Sequence, residues 1–298
     1  YHLITQPRHY ATTRLMKLYS SVIHLLNLHS VTIPPPGGQH AHGAFFSIVE
    51  AVDPDLSAKL HDLRGKGERK PFTVSPVMGL PRSERKTSEV YLREGWQCWL
   101  RVTMLNEALF RTFIEYFLDV RGKELPRIRL GDAHFAVSEI LSTPGSHPWA
   151  GFVTLEDLQR RLDEPAPASI TLEFHSPTSF SLGQHYELIP YPRLVFGNLA
   201  TAWKALSGED LVAAVEKYAE ANLRLVVHRL ERKPIQLQNH PQLGSVGQVE
   251  YQFIRPEDTP LARALNLLAD LAFFSGVGRK TTQGMGMTRR IEGGKLEA

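Results

Sequence analysis

The sequence predicts an α+β protein made of two tandem ferredoxin-like (βαββαβ) domains. Strand-like and helix-like patterns run β-α-β-β-α-β across residues 18–141, and the same order recurs across 169–291. Between them, residues 143–166 are richer in proline, glycine and short polar runs, which marks a boundary. A chain of 298 residues is long for one small domain and comfortable for two of average size. The expected units are 16–145 and 166–298, the second carrying a glycine-rich loop.

In the first unit, Leu18 to Ile33 is apolar and β-branched and stops at Pro34-Pro35-Pro36-Gly37-Gly38, so it reads as one long strand. His24 and His29 both fall on it. Ala41, Ala44, Phe45, Ile48, Val49 and Val52 then repeat at the 3.6-residue spacing of a buried helical stripe, which Asp53-Pro54 interrupts. Lys70 to Val77 is a short strand. Gly95 to Met104 alternates, with Trp96, Cys98, Leu100 and Val102 on one side. A second helix lines up Leu105, Ala108, Leu109, Thr112, Phe113 and Phe117, and His134 to Leu141 closes the unit as a strand. Ahead of all this, Tyr1 to Arg14 shows no clear periodicity, and Met16 reads as a natural start.

The boundary region holds one brief helical patch, Leu155 to Leu162. Beyond it come a strand at Ser169 to His175, a turn region with Pro177, Pro190 and Pro192, and helical stretches at Leu194 to Leu206 and Glu209 to Glu220. Strands at Leu223 to Leu230 and Gly247 to Ile254 follow. A helix at Leu261 to Phe274, the glycine-rich segment and a strand near Met285 to Ile291 complete the second unit.

Composition excludes several classes. Hydrophobic residues make up 42%, charged residues 22% and aromatics 9%, the profile of a soluble globular protein. No uninterrupted apolar run approaches the roughly 18 residues of a membrane span, and no charged-then-apolar leader opens the sequence. Cys98 is the single cysteine, so no intrachain disulfide forms, and a cytoplasmic location is the default expectation. Net charge is +3, compatible with a polyanionic partner without demanding one. Basic residues cluster at Arg64 to Lys70, Arg82 to Lys86, Arg121 to Arg129, Arg229 to Lys233, Arg279-Lys280 and Arg289-Arg290. All but the last of these read as loops or element ends, and each taken singly is an ordinary solvated surface.

The most informative stretch is Phe274-Ser-Gly276-Val-Gly278-Arg279-Lys280-Thr281-Thr282-Gln283-Gly284-Met-Gly286-Met287. It is no Walker loop, because Arg279 separates Gly278 from Lys280. It is no dinucleotide fingerprint either: Thr281 replaces the third glycine, and the segment follows a helix. Its glycines leave backbone N–H groups unshielded, while Arg279, Lys280, Thr281 and Thr282 add charge and hydroxyls. Such a loop can lie along a phosphate backbone; it can equally be a plain turn between a helix and an edge strand.

A C-terminal helix running into G-x-G-x-K-T-x-x-G-x-G and a terminal strand resembles the glycine-rich loop of the repeat-associated (RAMP) superfamily. Within it, the chain is most similar to the CRISPR RNA-processing endoribonucleases, the sixth Cas family. Three further stretches resemble that family in the same order. The first runs from Leu18 through the proline-glycine break to His40-Ala-His42-Gly43-Ala-Phe-Phe. The second comprises Asp53-Pro54-Asp55-Leu56, Leu60-His61-Asp62 and Pro71-Phe72-Thr73-Val74-Ser75-Pro76. The third comprises Ser176-Pro177-Thr178-Ser179-Phe180, Pro190-x-Pro192 and Phe196-Gly-Asn-Leu199 up to Trp203. Together they span almost everything from Met16 to Ile291.

The resemblance implies a reaction: the 2′-hydroxyl before the cut attacks the adjacent phosphate without a metal or other cofactor. A 2′,3′-cyclic phosphate and a 5′-hydroxyl result. A histidine suits the proton steps because its unperturbed pKa is about 6.5, and a nearby Lys, Tyr or backbone amide can stabilise the phosphorane. His40 and His42 flank the start of the first helix, about a quarter-turn or more from its apolar stripe on opposite sides, and periodicity does not choose between them. The resemblance favours His42, with His40 the alternative. A metal-binding His-x-His pair lacks a third ligand at a recognisable spacing. His61 reads as a C-terminal helix cap, and Tyr19 and Lys59 are candidates to assist the histidine. The loop residues Gly276, Gly278, Arg279, Lys280, Thr281, Thr282, Gly284 and Gly286 are the expected RNA contacts. The implied partner is CRISPR repeat RNA and its processed crRNA; interference-complex subunits or a second copy in a homodimer are compatible further partners. A catalytically silent RNA-binding subunit of the same superfamily is the competing reading.

Overall fold

The computed structural model describes residues 16–34, 37–63, 69–81, 89–118, 125–237, 240–255 and 257–291. Of the basic clusters, residues 64–68, 82–86 and 121–124 lie outside this set, as do Tyr1 to Arg14. The first sheet is built on β1 (Lys17–Asn27). It pairs on one side with β5 (Gln97–Met104), which pairs with β3 (Phe72–Val74); on the other it pairs with β7 (Ala133–Leu141), which pairs with β6 (Arg127–Leu130). Helices α1 (Gly38–Val52) and α3 (Glu107–Leu118) cover one face, and α2 (Pro54–Asp62) packs on α1. With β6 set aside as a hairpin addition, the order is that of a ferredoxin-like sheet, in which each βαβ crossover straddles a strand.

The second sheet repeats this order as β12 (Leu223–Leu237), β13 (His240–Phe253), β9 (Ser169–Thr178) and β14 (Thr288–Ile291). Helices α5 (Pro192–Ser207), α6 (Val212–Asn222) and α7 (Pro260–Ser275) pack on it. Between the sheets, β8 (Gly151–Thr154) pairs with the start of β1, and α4 (Leu155–Gln159) follows. The fold is therefore two tandem ferredoxin-like domains. Among the described residues no helix is long and apolar enough to cross a membrane.

Local chemistry sets the ends of these elements. Asp53 stops α1 and caps α2: its Oδ1 accepts the Leu56 N–H at 2.9 Å, with Pro54 at the first helical position. Thr259 caps α7 in the same way, accepting from the Ala262 N–H at 3.1 Å. Each domain has its own core, one centred on Phe45, Phe72, Phe113 and Phe135, the other on Phe174, Phe196, Trp203 and Tyr251. Each such ring, fully buried, contributes about 1.5–3 kcal/mol.

Several expectations are corrected. Leu18 to Ile33 is two strands. Asn27, itself buried, donates its side-chain amide to the carbonyls of His29 (2.7 Å) and Arg93 (3.1 Å), and the chain restarts as β2 (Val31–Ile33) against β4 (Val90–Leu92). His29 thus sits in the break, not on the strand. Arg229 to Lys233 is not a loop either. The strands expected at Leu223 to Leu230 and Gly247 to Ile254 extend into a hairpin, and those basic residues lie in the middle of its first strand. Pro234 within that arm hid it, since proline argues against a central strand and is tolerated on an edge.

Candidate functional site

The long hairpin arm, the start of α1 and the glycine-rich loop meet at one place. In the arm, Ile235 and Leu237 are buried and form a small apolar cluster with Met285 of the loop. Gly38 opens α1 against the loop so closely that an added Cβ would stand 1.9 Å from the Gln283 carbonyl oxygen and 2.5 Å from Gly284 Cα. Only glycine permits that approach.

Four residues into α1, His42 Nδ1 lies 2.7 Å from the Thr282 carbonyl oxygen. A carbonyl can only accept, so Nδ1 carries the proton and the basic lone pair of the neutral ring resides on Nε2. The ring lies against Phe46 (4.8 Å between centroids) and Phe72 (5.9 Å) and is 9% exposed. Lys70 Nζ sits over the same two rings, 5.0 Å from Phe46 and 5.8 Å from Phe72. An imidazole and an ammonium thus share one aromatic floor.

His40 goes elsewhere. It is half-buried, and its ring packs against Gly131 in the β6–β7 turn, where burial lowers its pKa and Asp132 opposes the shift. The two histidines that periodicity left equivalent face different segments, and only His42 meets the glycine-rich loop. Tyr19 stacks on Phe110 at 3.8 Å, Lys59 is exposed on α2, and His61 lies tilted against Phe46 with ring centroids 3.8 Å apart.

The loop itself is ordered by its backbone. Gly276, Gly278, Gly284 and Gly286 all have positive φ, and Lys280 is left-handed at φ 55°. Val277 N–H donates to the Gly286 carbonyl at 2.9 Å and closes the loop's base. At Gly278, φ is 85° and an added Cβ would meet the Ser179 carbonyl oxygen at 2.5 Å, so no larger residue fits. Thr281 and Thr282 lie in the single helical turn that follows Lys280. Arg279 holds its guanidinium 3.6 Å from the centroid of Tyr186 and donates to Gln242 of the arm at 3.1 Å. Burial, and then the Arg279 charge, lower the pKa of Lys280.

Residues missed in the sequence also shape this place. Arg69 donates to the carbonyls of Ser275 (2.7 Å) and Gly276 (3.3 Å), where α7 ends and the loop begins. Asn198 of α5 accepts the Gly278 N–H at 2.9 Å. Arg101, buried in β5, reaches the Phe273 carbonyl. The sequence signals for these were an Arg-Lys pair ahead of β3, an asparagine after Phe196-Gly197, and one charged residue in an alternating strand.

Comparison with known families adds a second line of argument. Residues 17–160 match the Cas6 N-terminal domain of CRISPR systems, and residues 172–288 match the CRISPR-associated endoribonuclease Cas6. The chain belongs to the Cas6 endoribonuclease family. No curated protein sequence matches it. Among solved structures, Thermus thermophilus Cas6 is similar at 26% identity, covering 94% of this chain and 100% of that one, with a TM-score of 0.69. The product complex of the same Cas6 is similar at 29% identity, covering 92% and 99%, with a TM-score of 0.73. A second Cas6 in a product complex is 27% identical over 93% of this chain and 100% of its own, with a TM-score of 0.68. The Cas6 likeness runs through both domains, and so through α1 and the glycine-rich loop together.

Proposed function

We propose that this Cas6 family member cuts CRISPR precursor RNA within its repeats, without a metal ion, using His42 as the proton-transfer residue. The observation that carries the reading is the contact of His42 Nδ1 with the Thr282 carbonyl. It fixes the tautomer that leaves Nε2 as a base, and it sets that base beside the loop suited to hold a phosphate. The 2′-hydroxyl loses its proton to Nε2, its oxygen bonds to phosphorus, and the bond from phosphorus to the 5′-oxygen breaks. The leaving 5′-oxygen takes up a proton from water, and Nε2 releases the one it gained to solvent. Lys70, whose ammonium shares the aromatic floor under His42, can offset the phosphorane charge. Known Cas6 structures in product and substrate-mimic complexes lend support from relatives.

His42 is only 9% exposed, so RNA reaches Nε2 when the cover over that edge of the ring shifts on binding while the Nδ1–Thr282 contact holds. The same covering supports a second reading, a silent subunit that holds repeat RNA without cutting it. One incubation separates them. The repeat RNA of the neighbouring array, end-labelled, is incubated with the protein in excess chelator. Cleavage to 2′,3′-cyclic phosphate and 5′-hydroxyl ends supports the endonuclease; tight binding with no scission over hours supports the silent subunit. Loss of cleavage in chelator, restored by a divalent ion, contradicts metal independence.

A further inference from the structure

Helix α7 ends where the glycine-rich loop begins, so the loop starts at the negative end of a helix dipole, with terminal carbonyls that need donors. The first domain supplies them. Arg69 Nη2 donates to the Ser275 and Gly276 carbonyls, at 2.7 and 3.3 Å, and Arg101 donates to that of Phe273. The other arm of the Arg69 fork, Nη1, points to Asn198, 3.4 Å from both its carbonyl oxygen and its Oδ1. Asn198 in turn receives the Gly278 N–H at 2.9 Å and faces the Gly278 carbonyl with its amide at 3.4 Å. One guanidinium therefore ties α7, α5 and the first residues of the loop to the segment that carries Lys70 and leads into β3 at Phe72. The loop's far side is packed on Gly38. With its base held by Arg69, its Thr282 carbonyl has a defined place over α1.

We propose that Arg69 is a positioning residue for cleavage: its forked guanidinium sets the base of the glycine-rich loop, and through it the carbonyl that orients His42. The inference rests on the reading of His42 as the proton-transfer residue. Charge alone does not do this work. A lysine at the same position keeps the positive charge and offers a single ammonium that cannot span the Ser275 carbonyl and Asn198 together. Arg101 serves a different end. It lies deeper, donating to Ser20 Oγ at 2.7 Å and to the Trp149 carbonyl at 3.2 Å, and it docks the domains without touching the loop.

The test is a double-variant cycle on full-length protein with a repeat RNA oligonucleotide, measuring saturating single-turnover rate and Kd separately. Arg69→Lys is expected to lower the rate by about 10- to 10²-fold, as a displacement of about 1 Å does to a catalytic group, with Kd within about threefold of wild type. In the His42→Ala background the same substitution is expected to add less than about twofold, because the group it positions is gone. A wild-type rate for Arg69→Lys, or a rate loss that multiplies in full on top of His42→Ala, overturns the inference while leaving His42 in place. Full activity of His42→Ala alone overturns the parent reading instead. Arg69→Gln serves as a second variant, expected to fall at least as far in rate; a Gln variant faster than the Lys variant also counts against the fork.

Discussion

The imidazole of His42 donates through Nδ1 to the carbonyl of Thr282, 240 residues further along the chain and 2.7 Å away. A histidine whose one nitrogen is tied to a backbone carbonyl has a chosen tautomer and a more basic second nitrogen. Residues from opposite ends of the sequence set that choice. Anything that moves the loop relative to α1 should therefore act on catalysis before it acts on folding.

Gly38 and Gly43 give a paired test of that coupling on one helix. A methyl group at Gly38 would collide with the Gln283 carbonyl and Gly284, whereas one at Gly43 would meet nothing within 4 Å. Gly38→Ala is expected to slow cleavage about 10²-fold by pushing the loop away. Gly43→Ala is expected to keep its rate and gain about 0.5–1 kcal/mol in urea unfolding, the usual gain of alanine over glycine within a helix. Equal rates for the two variants would show that the α1–loop approach is not needed.

His40 should be dispensable. It faces Gly131 and Asp132 in the β6–β7 turn, not the loop. His40→Ala is expected to retain cleavage within about fivefold, against the 10²–10⁴-fold that loss of a general acid–base group brings. A loss of that larger size at position 40, measured under single turnover, would move the chemistry to the other flank of the helix.

Arg279 and Lys280 form the charged shoulder of the loop, with Arg279 braced on Tyr186 and Gln242. Arg279→Glu and Lys280→Glu are each expected to weaken RNA binding. The slope of log K against log salt should become shallower by about 0.7–0.9 for each phosphate that is no longer neutralised. Filter binding across a salt series measures this directly, and an unchanged slope would place the phosphates elsewhere.

Acid should destabilise the fold. Burial lowers the pKa of His40, and burial, then His24 and Arg101, lowers that of His147. A histidine with a depressed folded pKa binds protons more readily when unfolded, so stability falls as pH drops below about 6.5. Glu173 acts in the same direction: hydrogen bonding from His175, and then from Arg289, holds its pKa down, and its contribution disappears as pH falls through that lowered value. The urea midpoint is expected to be lower near about pH 5.5 than near 7.5, with a smaller difference in a His40→Asn, His147→Asn protein. A midpoint that rises on acidification would contradict these directions.

Much of the fold was legible because periodicity reports local burial. The stripe Ala41, Ala44, Phe45, Ile48 and Val49 is the buried face of α1, and Cys98, Leu100 and Val102 are buried in β5 as their alternation requires. Arg101 and Thr103 are buried as well, Arg101 against Trp149, Phe273 and Ser20 and Thr103 against Thr73 of the neighbouring strand, which no local pattern records. The break after Asn27 was invisible for a similar reason: besides His29, its amide is held by the carbonyls of Leu92 and Arg93. The candidate site was half legible. Glycine spacing marked the loop, and a histidine pair marked α1. That His42 lies under the loop, and that Arg69 fastens its base, depends on contacts across 200 residues or more.

If His42, oriented by Thr282, moves the proton that starts RNA cleavage, removing its imidazole must slow the chemical step and spare binding. Single-turnover rates of wild type and His42→Ala, compared in chelator with all RNA bound, decide this. A loss of about 10²–10⁴-fold is expected in the variant, with Kd little changed. A His42→Ala protein that cuts at the wild-type rate would contradict it.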